Sequence, residues 1–159
     1  MFKILGAVTV IFSSVLFGMK KYNDFFERKK ILQELSDGCR HIESQLRCMC
    51  APLCDCFGSG GEFFGKGADL IEGGMLPEEA VKAVAYQTSA LNREDLRIIE
   101  SFAEGLCAED CAGQLSNLAV FEKRLNKQLE NAQTELNVKG KLCVKGSILV
   151  AAALVLLLV

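Results

Sequence analysis

The strongest constraint on this chain is that it is apolar at both ends and acidic in between. Residues 2–19 carry one charge, Lys3, and residues 142–159 carry one, Lys145. Each stretch is about 18 residues long, or about 27 Å as a helix, so each just reaches across a hydrocarbon core. A chain held in a membrane at both ends is expected to be a fixed part of an assembly rather than a diffusing enzyme.

Basic residues fence the middle. Lys20, Lys21, Arg28, Lys29 and Lys30 face only Asp24 and Glu27, and Lys139, Lys141 and Lys145 stand at the second apolar stretch with no acid among them. Between them, residues 31–138 hold 9 basic and 18 acidic side chains. An acidic middle repels nucleic acid, whose recognition requires phosphates to be neutralised. The basic collars follow the positive-inside rule, which places the middle in the cytoplasm and both short termini outside. Anionic headgroups attract such collars. A cleaved signal peptide is the rival reading of the first stretch, with residues 4–17 as its apolar core. Leu16-Phe17-Gly18, however, is not a small-x-small cleavage site. In the cytoplasm the eight cysteines stay reduced; in a secreted protein they would pair.

Without its ends the chain keeps about 120 residues, enough for one modest core. Two prolines and many Leu, Ala, Glu and Lys point to helices. Ile31, Leu35, Cys39, Ile42, Leu46 and Met49 fall on one helical face. Nothing breaks this helix from the first apolar stretch, and it is expected to end before Pro52. A short helix over residues 52–57 follows, then the break Gly58-Ser59-Gly60-Gly61. Residues 62–72 form a third helix, stopped by Gly73-Gly74. Pro77 with Glu78 and Glu79 starts the next, burying Ala80, Val81, Val84, Ala85 and Thr88. Asn92 caps another, with Leu96, Ile99, Phe102, Ala103 and Leu106 inward. Asp110 caps the last, whose stripe runs from Leu115 through Leu118, Phe121, Leu125, Leu129 and Ala132 to Leu136 and directly into the second apolar stretch.

The expected architecture is all-α: a small helical bundle with two long stalk helices continuing into N- and C-terminal transmembrane helices. The divisions fall at 1–19, 20–141 and 142–159. Gly6, Ala7, Gly146, Ala151, Ala152 and Ala153 are small enough to let helices approach closely in the bilayer.

Four constellations invite a chemical reading. Cys48-x-Cys50-x3-Cys54-x-Cys56 offers four thiolates that suit zinc or an iron–sulfur cluster. Zinc sites usually separate two C-x2-C pairs by a longer loop, whereas these four lie within nine residues. The metal-ligand expectation is therefore none, with Cys48, Cys50, Cys54 and Cys56 as the candidates of a rival metal or redox module. Cys107 and Cys111 add little, because the cap at Asp110 separates them. Gly60-Gly61-Glu62-Phe63-Phe64-Gly65-Lys66-Gly67 nearly matches the phosphate loop G-x4-G-K-S/T, but Gly67 has no hydroxyl for magnesium and no apolar strand precedes the loop. His41, the only histidine, lies off the buried stripe with no nucleophile beside it. Glu94, Asp95, Glu100 and Glu104 read as cap and surface charges rather than an acid–base pair. The expectation is no catalytic residue and no cofactor.

The order of these pieces resembles one family over nearly the whole chain. Ile4-Leu5-Gly6-Ala7 opens the first span, and Lys20, Lys21 and the stalk through Leu35 follow. Then come Pro52-Leu53, Glu79-Ala80-Val81, Asp95-Leu96 with Ile98, Ile99, Phe102 and Leu106, and finally Asp110 and Gln114 before the long last helix. This order is similar to the stage III sporulation protein AB family of endospore-forming bacteria. Ala51 stands where that pattern leads one to expect Thr, the cysteine cluster is not a hallmark of it, and the glycines between Phe57 and Gly67 read as a loosened connection. The resemblance implies a helical domain similar to the cytoplasmic domains of the inner-membrane platform protein F of type II secretion. It implies a non-enzymatic platform subunit of the channel between mother cell and forespore, in the mother-cell membrane. Its implied partners are other membrane proteins of the channel complex, a cytoplasmic secretion-type ATPase of the same operon, and copies of itself.

Overall fold

A run of 48 residues from Phe2 to Met49 without proline or paired glycines has no reason to leave the helical region, and in the computed structural model it forms one helix, α1 (Phe2–Met49). The structure describes the backbone of residues 2–49, 53–107 and 111–158, and the side chains of residues 12–48, 53–106, 111–150 and 152–153. Among the described residues, all regular structure is helical. After α1 come a 3-10 turn at Leu53–Ser59, then α2 (Glu62–Glu72), α3 (Pro77–Gln87) and α4 (Arg93–Glu104), and a second 3-10 turn at Gly105–Cys107. The chain continues with α5 (Cys111–Glu135), a π-helical turn at Leu136–Gly140 and α6 (Lys141–Leu158). Pro52 and the Asp110 cap lie outside the described residues. The chain divides into two units, residues 30–130, and residues 1–29 together with 131–159.

In the unit of residues 30–130 the expected stripes are buried. Leu35, Cys39, Ile42 and Leu46 of α1 are covered, as are Ala80, Val81, Val84 and Ala85 of α3 and Ile99, Phe102 and Ala103 of α4. Leu96 and Thr88 are only half-buried. On α5, Leu118, Phe121 and Leu125 are buried, but Leu115 and Leu129 are half-buried and the buried position between Leu125 and Ala132 is Gln128. A chain of phenylalanine rings ties the elements together. Phe64 of α2 meets Phe57 at 5.2 Å and Phe102 at 6.3 Å between ring centroids, and Phe102 stacks on Phe121 of α5 at 4.1 Å. Full burial of each such ring is worth about 1.5–3 kcal/mol.

The glycine run after Phe57 is not loose. Gly60 is buried, and its amide donates to the Phe57 carbonyl at 2.9 Å. A Cβ on Gly38 of α1 would lie 2.1 Å from the Gly60 carbonyl oxygen, so the two backbones approach where neither residue has a side chain. The expectation of a slack connection is corrected here: glycine is needed at Gly38 and Gly60 for proximity.

Residues 1–29 and 131–159 form a helix pair of their own. Ser14 Oγ donates to the Ser147 carbonyl at 2.7 Å, and a Cβ on Gly18 would sit 2.2 Å from Ser147 Oγ. Gly18 and Ser147 therefore make the close helix crossing that small residues permit. Neither residue is among the small residues drawn from the sequence. Nothing lies within 4 Å of a Cβ built on Gly146, and Ala152 and Ala153 are exposed. The side chains of Gly6, Ala7 and Ala151 lie outside the described residues.

The last helix does not run unbroken into its apolar end. The π turn at Leu136–Gly140 interrupts it, and Gly140 is buried with Tyr22 Cδ2 3.1 Å from where its Cβ would be. Beside this turn Glu135 takes two cations: Arg28 Nη1 donates to Oε2 at 2.6 Å and Lys139 Nζ to Oε1 at 2.6 Å. The hydrogen bond from Lys139, followed by the charges of Lys139 and Arg28, holds the Glu135 carboxyl below its ordinary value of 4.5. A carboxyl lowered in the folded state contributes stability above its unfolded pKa and loses it as pH falls through the folded value. Helix melting followed by circular dichroism should therefore fall from about pH 4.5 downward, and Glu135→Gln should flatten that limb while lowering stability at neutral pH.

Candidate functional site

Several of the sequence motifs that invited chemistry take part in contacts that hold the fold. Helix α2 begins at Gly61, whose φ of 92° lies in the left-handed region and whose lack of a side chain leaves the helix uncapped from within. Glu34 of α1 supplies the missing acceptor, with Oε1 taking the Phe63 amide at 3.1 Å. A carboxylate at a helix N-terminus is favoured by the dipole, so this anion site is already filled by the protein. The Gly65 amide donates to the Gly61 carbonyl at 2.8 Å, and Lys66 Nζ pairs with Glu62 one turn back at 2.6 Å. The near-match to a phosphate loop is thus a capped helix start with its lysine on the surface.

The described cysteines differ in their surroundings. Cys48 is exposed at the end of α1, Cys54 is half-buried, Cys56 is buried, and Cys50 lies outside the described residues. Burial, then the charge of Asp55, pushes the Cys56 thiol up, the opposite of what a thiolate ligand needs. Among the described residues no three His, Cys, Asp or Glu side chains come together to hold a metal ion. Cys39 is buried and its thiol is pushed far above its ordinary value by burial, with Glu122 and Glu43 adding to the shift. Cys111 is half-buried, and the side chain of Cys107 lies outside the described residues.

His41 is exposed on the rim of a cleft of about 530 Å³ between α1 and the glycine turn, lined also by Lys30, Glu34, Asp37 and Ser59. The Ser59 hydroxyl donates to the Cys56 carbonyl at 2.8 Å, so its proton is engaged in the turn rather than with an imidazole. On α3 and α4, Glu78, Glu100 and Glu104 have partners. Glu100 accepts from the Tyr86 hydroxyl, which holds the phenol above its ordinary value. Lys82 bridges Glu78 at 2.6 Å and Glu104 at 3.9 Å.

Asp95 is fully buried as half of a capping box. Asn92 Oδ1 accepts from the Asp95 amide at 2.8 Å and from the Glu94 amide at 2.9 Å, and Asp95 Oδ2 accepts from the Asn92 amide at 3.1 Å. Asn92→Ala should lower stability by about 1 kcal/mol, read as a shift in the urea midpoint with an unchanged slope.

Three interlocks escaped the sequence reading. Gln114 Oε1 accepts from the Leu53 amide at 3.1 Å, Asn117 Nδ2 donates to the Phe102 carbonyl at 3.0 Å, and Ser36 Oγ donates to Asn126 Oδ1 at 2.9 Å. They tie α5 to α1, α4 and the first 3-10 turn. The only available signal was a polar residue interrupting a helical stripe, and that signal names no partner.

A chain whose described regular structure is all helical, with helices joined by caps, ion pairs and interlocks, belongs to the class of all-α helical bundles. The model of the family described as stage III sporulation protein AB (spore_III_AB) matches residues 3–159, and the chain belongs to that family. Among solved structures, a chain titled stage III sporulation protein AB is similar in fold, with a TM-score of 0.58 at 16% identity, covering 69% of this chain and 96% of that one. Comparison with curated proteins finds no match. Membership gives the chain a role in sporulation.

Proposed function

We propose that the chain is a non-enzymatic, membrane-anchored platform subunit of the secretion-like channel between mother cell and forespore. The observation that carries this reading is the uneven distribution of apolar surface and charge between the two units. Among the described residues, eleven of the fifteen exposed large hydrophobics lie in the unit of residues 1–29 and 131–159, Phe12, Phe17 and Leu149 among them. By sequence that unit has eight basic and three acidic side chains, against ten and seventeen in residues 30–130. Exposed apolar surface of this extent needs a cover, and lipid bounded by a basic collar is the cover that fits both facts.

Among the described residues no helix is long and apolar enough to cross a membrane, and the stretches 2–19 and 142–159 lie partly outside them. On this reading residues 1–19 and 142–159 are the two spans and residues 20–141 are cytoplasmic. The acidic bundle presents a docking face to a secretion-type ATPase, and membrane-embedded channel proteins pack against the spans.

Alkaline carbonate extraction tests the anchoring. The full chain should stay in the membrane pellet, and detergent-solubilised chain from sporulating cells should retain the ATPase of its operon. Release by carbonate contradicts the reading.

A further inference from the structure

We propose that a cleft on the helix pair is a binding site for the headgroup of an anionic phospholipid. The cleft has a volume of about 320 Å³ and is bounded by Tyr22 of α1 and by Lys141, Val144 and Lys145 of α6. The inference rests on the membrane anchoring proposed above and goes beyond it by assigning a ligand to named residues.

Three observations point to an anion with an apolar tail. First, Lys141 and Lys145 stand one helical turn apart, so like charges share one face, an arrangement that destabilises a helix unless something neutralises it. Where a glutamate stands one turn back the charge is paired, as at Lys66, Lys82 and Lys139. No such pair forms here. The position one turn before Lys141 is Asn137, and one turn after Lys145 is Leu149. Among the described residues neither lysine has a carboxylate within 4.0 Å.

Second, the cleft is more than a patch of lysines. The Tyr22 ring lies against Gly140, where a Cβ would sit 3.1 Å from it, and the ring and Val144 line the cleft beside the two lysines. Among the described residues the Tyr22 hydroxyl has no hydrogen-bond partner. A phosphate oxygen bridging the two lysines and accepting from that hydroxyl would satisfy all three groups at once. A charge-assisted bond of this kind is stronger than a neutral one.

Third, the cleft lies at a change of polarity. The residues of α6 after Lys145 include the exposed Ile148, Leu149 and Val150, and those of α1 before Tyr22 include Phe17 and Met19. An anion held at Tyr22 therefore has apolar surface on both helices along which acyl chains can lie. Lysine and tyrosine are the side chains that suit the level of the headgroups. The π turn contributes by burying Gly140 beneath the ring, immediately before Lys141.

The test uses the full chain reconstituted in lipid vesicles, which hold no other protein. The chain has two tyrosines and no tryptophan, so Tyr86→Phe leaves Tyr22 as the only source of emission above 300 nm. Phosphatidylglycerol brominated near the headgroup should quench Tyr22 several-fold more than brominated phosphatidylcholine at the same mole fraction. Lys141→Gln with Lys145→Gln should abolish that preference, Lys141→Arg with Lys145→Arg should keep it, and Lys20→Gln with Lys21→Gln should leave most of it.

Equal quenching by the two lipids overturns the proposal. So does a preference that survives the cleft substitutions, or one that the Lys20/Lys21 pair removes equally, since either result means general attraction by the collar. Loss of the preference on adding inorganic phosphate alone would assign the cleft to the free anion instead. A chain that fails to float with vesicles of either lipid refutes the anchoring itself, and the site with it; this is seen before any quenching is measured.

Discussion

Phe102→Ala should cost about 3–5 kcal/mol, enough to unfold a large share of the chain at 37 °C. The ring is 2% exposed and joins two elements, stacking on Phe121 at 4.1 Å and meeting Phe64 edge-on at 6.3 Å. Its removal leaves a cavity that α2, α4 and α5 must all shift to fill. Asn117 Nδ2 also bonds the Phe102 carbonyl at 3.0 Å, so collapse of the helix toward the cavity strains a polar interlock as well. Phe102→Leu should recover about half of the loss, because volume is largely kept while the stacking is not. Urea unfolding of the two variants beside the parent chain measures both numbers.

Gly38→Val should be nearly as damaging. A Cβ at Gly38 meets the Gly60 carbonyl oxygen at 2.1 Å and Phe64 Cδ2 at 3.0 Å. The first is backbone and cannot rotate away, so α1 and the glycine turn must separate. Overpacking of this kind costs about 1–3 kcal/mol, and here the upper end is expected because Glu34, one turn earlier on α1, loses its register with the Phe63 amide. Gly58→Ala is the control. Nothing lies within 4 Å of a Cβ there, and its effect should stay within about 0.5 kcal/mol.

The contrast between Gly38 and Gly58 shows what the sequence could and could not reveal. Local signals were legible: Pro77 and Asn92 marked helix starts, Gly73 a stop, and stripes such as Val81 and Val84 or Phe121 and Leu125 the buried faces. These depend on residues within a few positions of each other. Gly38, Glu34, Gln114 and Asn117 act on partners far along the chain, and no spacing rule identifies them. The π turn at Leu136–Gly140 escaped for a related reason. It inserts one residue into a pattern that reads as a continuous helical stripe, and the pairing of Arg28 with Glu135 beside it exists only once two distant helices meet. The motifs weighed as sites were visible as letters, but the contacts around them were not. Glu34 occupies the Phe63 amide at the start of α2, and burial raises the Cys56 thiol.

A platform subunit of this kind requires the bundle on one side of the membrane and both termini on the other. Thiol labelling reads this most directly. In a chain expressed in vegetative bacterial cells with Cys48 as the only cysteine, a membrane-impermeant maleimide should fail to label intact cells and should label promptly after lysis, because Cys48 is exposed at the end of α1. A cysteine introduced by Phe2→Cys, in a chain otherwise lacking cysteine, should label in intact cells. Labelling of Cys48 before lysis, or protection of both positions in a chain that carbonate strips from the membrane, would contradict the account.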